Sequence, residues 1–319
     1  MLTYATATLA GFLLLVWGAD RFVVGAASSA RHFEVPPLLV GLTLVGMATS
    51  GPEMFVSVVA SLDGNPQLAA GNAIGSNIAN IGLVLGASAL VTPIIIRSDT
   101  LKREMPALLA VTLLAVMAFM NGRVGRLEGA LLLASLILVV YWLVVLGSRS
   151  AANDPIGTEY AAEMPPNLPL GMSALWLILG LSVLLAGSNL LVWGAHNLAV
   201  SLGVSDLVIG LTLVAVGTSF PELAVSIVSA LKQEHDLALG NIIGSNLFNS
   251  LAVIGIAAVI HPSDYESEVL TLHLPVMIGM TLVLFTMTYN FSGNSRINRL
   301  EGGILLVAFL AYHAYVITR

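Results

Sequence analysis

Two glutamates stand out in a chain that is otherwise poor in charge. Glu53 and Glu222 each follow a proline inside a long apolar stretch, in ATSGPE (48–53) and GTSFPE (217–222). An acid near the middle of a membrane helix costs roughly 2.5–3.5 kcal/mol on insertion scales, and meeting that cost twice requires a partner. No Lys or Arg lies at matching depth, and the nearest candidate, Arg21, has no counterpart in the other half. A cation from solution is the expected counter-charge. Thr49 lies four residues before Glu53 and shares its helix face, with Ser50 beside it. Thr218, Ser219 and Glu222 repeat the arrangement. The next apolar stretch in each half adds Ser76 and Asn80, then Ser245 and Asn249, again four apart. The set is all oxygen: two carboxylates, six hydroxyls and two amide oxygens. Hard oxygen suits calcium, which takes 6–8 such ligands, and sodium; magnesium keeps its waters and demands a tight octahedron. One Ca²⁺ or two Na⁺ cancel the two negative charges, so competition for one site is enough to couple opposite fluxes. Without an ion two like charges sit close together, and protons are expected to compete at low pH.

The backbone around these acids is built to break. Pro52 leaves the carbonyl of Ala48 without its helical partner, and Pro221 does the same for Gly217. Gly46 and Gly51 loosen the first break further. Irregular backbone at membrane depth is tolerated where it lines a site.

These elements occur twice. GLTLVGMATSGPE (41–53) matches GLTLVAVGTSFPE (210–222), and GNAIGSNIAN (71–80) matches GNIIGSNLFN (240–249), both at an offset of 169. About half the positions are identical between 41–86 and 210–255. Upstream, GADRFVVGA (18–26) faces GSNLLVWGA (187–195); downstream, RLEG at 126–129 faces RLEG at 299–302 with the offset drifting by four.

The medium that holds them is a bilayer. Of 319 residues, 57% are hydrophobic and 9% charged, and the mean hydropathy is +0.93; a soluble domain carries about 25% charged residues. Ten stretches are long and apolar enough to span, at roughly 4–30, 36–61, 67–92, 104–121, 126–147, 170–199, 205–231, 237–260, 269–290 and 298–317. The first lacks a basic lead-in before Arg21 and a cleavage site, so it reads as a helix and not a signal peptide. The polar interval 148–168 divides the chain into halves 1–147 and 169–319 of five spans each. An odd number of spans makes the second half enter from the opposite side. The expected fold is all-α integral membrane, with ten transmembrane helices in two inverted five-helix repeats and a midplane site between them. Basic residues divide eight to three if both termini are outside: Arg31, Arg97, Lys102, Arg103, Arg149, Lys232, Arg296 and Arg299 inside, and Arg123, Arg126 and Arg319 outside. The interval 148–168 is then a cytoplasmic linker. Nucleic-acid binding is excluded by 12 Lys+Arg against 18 Asp+Glu with no basic run, and the absence of Cys removes thiol, disulfide and iron–sulfur chemistry. No P-loop or nucleotide site is present, so the expected partners are ions and lipid, with no cofactor.

At the paired motifs the chain resembles the calcium/cation antiporter superfamily, most closely its prokaryotic sodium/calcium exchangers. The resemblance rests on a G-T-S-x-P-E-like break and a G-N-x-x-G-S-N-x-x-[ND] helix in both halves. It implies exchange of Na⁺ for Ca²⁺ and maps the ion ligands onto Thr49, Ser50, Glu53, Ser76 and Asn80, and onto Thr218, Ser219, Glu222, Ser245 and Asn249. It adds the backbone carbonyls of Gly46 and Ala215, and implies that the first and sixth helices slide together to expose the site to alternate sides. Two departures are visible. Ala48 and Gly51 replace the usual Gly and a bulky residue, and Asn249 stands where related proteins often carry Asp, which argues against potassium dependence.

Blander readings stand beside these. Small residues and GxxxG matches in membrane helices usually serve packing; the duplication with a glutamate in each half outweighs this. Asn72, Asn77, Asn241 and Asn246 read as tethers, Asp20 and Arg21 as a mutual pair, with gating the minority reading. The six histidines read as surface or loop residues, Asp264, Glu266 and Glu268 as a solvated acidic patch, and the RLEG copies as helix starts. The rival functions are a proton/calcium exchanger, an intramembrane hydrolase using the two carboxylates as acid and base, and a channel.

Overall fold

The computed structural model describes residues 1–33, 35, 37–96, 101–151, 168–201, 215–288 and 295–318. The chain is helical: α1 (Leu2–His32), α2 (Pro37–Val40 running on through Gly41–Thr49), α3 (Gly51–Leu62), α4 (Pro66–Val91), α5 (Leu101–Phe119), α6 (Arg126–Ala151), α7 (Leu170–Ser201), α8 (Ala215–Gly217), α9 (Phe220–Leu231), α10 (His235–Ile260), α11 (Val269–Thr288) and α12 (Arg299–Ile317). Among the described residues seven helices are long and apolar enough to cross a membrane. The pair α2 and α3, bent by 48° at Ser50, makes an eighth, and Glu104–Phe119 and α9 are shorter apolar helices. Each overlaps one of the stretches marked by hydropathy, with ends displaced by a few residues. Most of the 148–168 interval (152–167), the start of the seventh stretch (205–214), Arg97 and Arg319 lie outside the described residues; α6 itself runs four residues past 147, to Ala151.

The sequence repeat reappears as matched elements. Gly51–Leu62 and Phe220–Leu231 are each 12 residues long and each carries Pro in its first turn. Pro66–Ala79 and His235–Phe248 are each 14 residues long, and each passes into a π-helical turn, beginning at Asn80 and Asn249. The turns between these helices also match: Gly64 has φ 77° and its counterpart Gln233 has φ 64°.

Two short strand pairs clasp the ends. β1 (Ile94–Ile96) runs antiparallel to β4 (Ser295–Ile297), with Ile95 opposite Arg296. β2 (Arg123–Val124) runs antiparallel to β3 (Ser263–Asp264), with Arg123 opposite Asp264. Both RLEG copies start helices, α6 and α12, as read from sequence.

α4 and α10 form the enclosed centre, and α6 and α12 lie outermost. α1 and α7 pack antiparallel through glycines seven residues apart. A Cβ on Gly11, Gly18 or Gly25 would overlap the backbone of Leu191, Leu184 or Leu177; one on Gly180 or Gly187 would overlap that of Phe22 or Leu15. Only glycine permits such close contact of main chains. The expected Asp20–Arg21 pair is present at 3.6 Å, but a shorter ion pair, 2.7 Å, joins Asp20 to Lys232 at the end of α9. Arg21 lies 4.9 Å from the ring centre of Trp176 on α7.

The reading of the histidines needs correction. His32 and His261 are exposed, but His235 is buried at the start of α10. His273 and His313 sit half-buried within α11 and α12, where His273 Nδ1 is 2.7 Å from the Tyr312 hydroxyl. Apolar helices can bury an imidazole that finds a hydrogen bond, which a search for metal-ligand spacing does not detect.

Candidate ion-binding site

Each glutamate occupies the first turn of a helix that begins at a break. The chain turns at Ser50 (φ −78°, ψ 6°) and at Ser219 (φ −85°, ψ 3°), and Glu53 and Glu222 follow three residues later. The positive end of a helix dipole therefore falls beside each carboxylate. Both side chains are fully buried.

Each acid is furnished from both halves. Thr218 and Ser76 face Glu53, while Thr49, Ser50 and Ser245 face Glu222, and the carboxylates lie within electrostatic range of each other. The Ser50 hydroxyl donates to Glu222 Oε1 at 3.4 Å. The Thr49 and Ser245 hydroxyls are 3.3 Å apart, and each lies within 3.5 Å of the Gly46 carbonyl. Ala215, whose carbonyl the resemblance adds, opens the short helix α8.

Much of this oxygen has no partner. Both carboxylate oxygens of Glu53, Oε2 of Glu222, the hydroxyls of Ser76 and Ser219, and the amide oxygens of Asn80 and Asn249 are buried without a hydrogen bond. Orphaned buried polar atoms are rare in native proteins, and this cluster suits a ligand that accepts lone pairs. Among the described residues no basic side chain pairs with either glutamate, and the ion pairs seen are peripheral.

The asparagines outside the predicted ligand set are tethers, as expected. Asn241 donates to Ser226 Oγ (2.9 Å) and to the Glu222 carbonyl (3.2 Å). Asn80 donates to Asn246 Oδ1 (3.0 Å), Asn77 to Ser250 Oγ (2.9 Å), and Thr218 to Asn72 Oδ1 (3.4 Å). Three features went unread in the sequence. The π-helical turns start at Asn80 and Asn249 and leave no compositional mark. Ser57 and Ser226 are repeat equivalents that bind Val253 O (2.8 Å) and Asn241; comparing the halves would have found them. Ser188 lies 3.4 Å from the carbonyl of Gly217 that Pro221 releases, whereas its equivalent, Ala19, has no hydroxyl.

A cavity of about 480 Å³ opens beside the site, lined by Asn72, Thr218, Glu266, His273 and Tyr312 among others. Tyr265 lines it outside the membrane helices, packed edge-on to Phe119 at 4.9 Å between ring centres. Burial pushes its hydroxyl up to about 12, so it stays neutral at ordinary pH.

Residues 3–145 and 172–318, one segment in each half, match the family described as sodium/calcium exchanger protein. The chain belongs to that family. Its members are transporters, so the family is one of antiporters and not of enzymes, which removes the hydrolase reading. CaxA of Alkalimonas amylolytica is 48% identical over 312 residues, covering 98% of both chains. The sodium/calcium exchanger MaX1 of Methanosarcina acetivorans is 31% identical over 337 residues, covering 95% of each. Among solved structures, the sodium-calcium exchanger NCX_Mj soaked with Na⁺ and Ca²⁺ superposes with a TM-score of 0.85 at 34% identity, covering 98% of both chains. With its apolar helices, this member of the exchanger family is an integral membrane protein.

Proposed function

We propose that the chain is a secondary antiporter that exchanges Na⁺ for Ca²⁺ by alternating access around a midplane site. Its ligands are Glu53, Glu222, Thr49, Ser50, Thr218, Ser219, Ser76, Asn80, Ser245 and Asn249, with the carbonyls of Gly46 and Ala215. One observation carries this reading: seven buried oxygens of the set lack a hydrogen bond, and no basic group is bonded to the two carboxylates among the described residues. Calcium takes 6–8 oxygens. One Ca²⁺ or two Na⁺ restore neutrality where two bare charges would cost several kcal/mol each, on the order of magnitude for buried ions. Sodium coupling is supported by the hydroxyl-rich set and by the names of MaX1 and NCX_Mj.

The proposed frame is ten membrane helices in two inverted halves, 1–147 and 169–319, joined by a cytoplasmic linker at 148–168, with both termini outside in the cell membrane. Counting the bent pair and the two shorter helices as spans gives ten. Inversion is supported by the strands. β1 and its repeat equivalent β3 pair at opposite ends of α5, each with a strand from the other half. The orientation rests on the eight-to-three division of basic residues.

The test uses proteoliposomes loaded with Na⁺ and diluted into Na⁺-free buffer. Calcium uptake is expected, and a pH gradient without sodium is expected to drive none. Uptake driven by the pH gradient alone would instead assign proton/calcium exchange.

A further inference from the structure

The Asp20–Lys232 ion pair has no counterpart under the internal repeat. At the offset of 169, Asp20 corresponds to Asn189 and Lys232 to Asp63. The correspondence is structural as well as sequential: Asp63 and Lys232 both end 12-residue helices, and both are followed by a residue in the left-handed region, Gly64 and Gln233. An asparagine facing an aspartate cannot form an ion pair. The linkage therefore exists at one end of the molecule and is excluded at the other.

Its two partners belong to different bodies. Asp20 lies on α1, which is locked to α7 through the heptad glycines, and Arg21 lies over Trp176 of α7. Lys232 closes α9, the helix that carries Glu222. The 2.7 Å contact thus ties the α1–α7 pair to the helix bearing a site carboxylate. Moving α1 along its axis by one turn, about 5.4 Å, takes Asp20 out of reach of Lys232.

We propose that Asp20 and Lys232 form a one-sided latch that favours the conformation described here over its inverted-repeat counterpart. This rests on the alternating-access reading of the site. In an inverted-repeat transporter the two end states are related by exchanging the roles of the halves, so an interaction present in one half only biases their ratio. Each side chain is about a third exposed (37% and 27%), and partly solvated pairs of this kind change an equilibrium by up to about fivefold. The latch sets how the population divides without touching a ligand.

The chain has no cysteine, so paired spin labels can be introduced without background, at Leu9→Cys on α1 and Ile137→Cys on α6. Both positions are exposed. Distances between them are measured in sodium- and calcium-free buffer. Lys232→Ala is expected to shift the ratio of the two distance populations, by up to about fivefold, away from the one matching this structure. The charge exchange Asp20→Lys with Lys232→Asp is expected to restore it. Asn189→Asp with Asp63→Lys, which builds the missing pair, is expected to shift the ratio toward the opposite state. An unchanged ratio in Lys232→Ala, or a shift of the Asn189→Asp, Asp63→Lys protein toward the structure described here, would overturn the latch. Sodium-driven calcium uptake by the unaltered chain is measured in parallel. Unchanged ratios with intact uptake remove the latch alone, and shifted ratios without uptake remove the exchange reading alone.

Discussion

The hydroxyl of Thr49 donates to the side-chain oxygen of Asn241, 3.0 Å away and 192 residues later in the chain. Asn241 is itself fixed, because its amide nitrogen donates to Ser226 and to the Glu222 carbonyl. One asparagine therefore aims a hydroxyl from the first half and braces the acid of the second. The equivalent contact, Thr218 to Asn72, is longer at 3.4 Å, and the Asn72 nitrogen has no partner. Truncating Asn241 orphans several buried groups, at about 1–3 kcal/mol. Asn241→Ala is expected to weaken apparent calcium affinity roughly tenfold or more by that measure, and Asn72→Ala distinctly less. The calcium dependence of uptake in proteoliposomes reads both; equal losses would remove the bracing role.

The two carboxylates allow a separation of function from stability. Glu53→Gln and Glu222→Gln keep the shape but leave the site with one negative charge, too little to neutralise calcium. Uptake is expected to vanish in each. Because a buried charge is lost, neither variant is expected to melt below the parent in detergent, and a rise is consistent with relief of desolvation. Persistent uptake in either variant would remove that glutamate from the site.

The seam between α1 and α7 predicts a sharp difference between glycines. Adding a methyl group at Gly18 drives it into the backbone of Leu184, where nothing flexible can yield. Gly279 in α11 has open space around its Cα. Gly18→Ala is expected to lower the melting temperature and slow exchange. Gly279→Ala is expected to be neutral or slightly stabilising, since alanine is the better helix former by about 1 kcal/mol in a soluble helix interior. Similar melting temperatures for the two would show that the helices are less closely packed than described.

How much of this was readable in the chain depended on repetition and range. Glu53 and Glu222 were legible because each breaks an apolar run beside a proline and the motif that carries them occurs twice. The helices were legible because a bilayer requires long apolar segments. The Asp20–Lys232 pair was not, since nothing local links residues 212 positions apart, and the adjacent Arg21 was the natural candidate. β1 to β4 escaped notice because two or three residues carry no alternation to detect. His273 was misread because its partner, Tyr312, comes from another helix.

The RLEG copies give a last prediction, on how the halves hold each other. Arg126 donates to the carbonyl of Val259 at 3.3 Å, and Arg299 donates to that of Leu90 at 3.1 Å. Val259 and Leu90 are themselves repeat equivalents, so each arginine caps the end of a central helix from the opposite half. The glutamates differ. Glu301 accepts from the Asn298 backbone while Asn298 accepts from the Glu301 backbone, a reciprocal capping box. Glu128 accepts one bond, from Gly125, a residue with no side chain to reciprocate. Caps of this kind contribute about 1 kcal/mol. Glu301→Ala is therefore expected to lower the melting temperature more than Glu128→Ala. The two helix starts follow strands at opposite ends of α5, so the losses should add in the double variant. A double variant clearly less or more stable than the sum would mean that the two ends communicate through the helices between them.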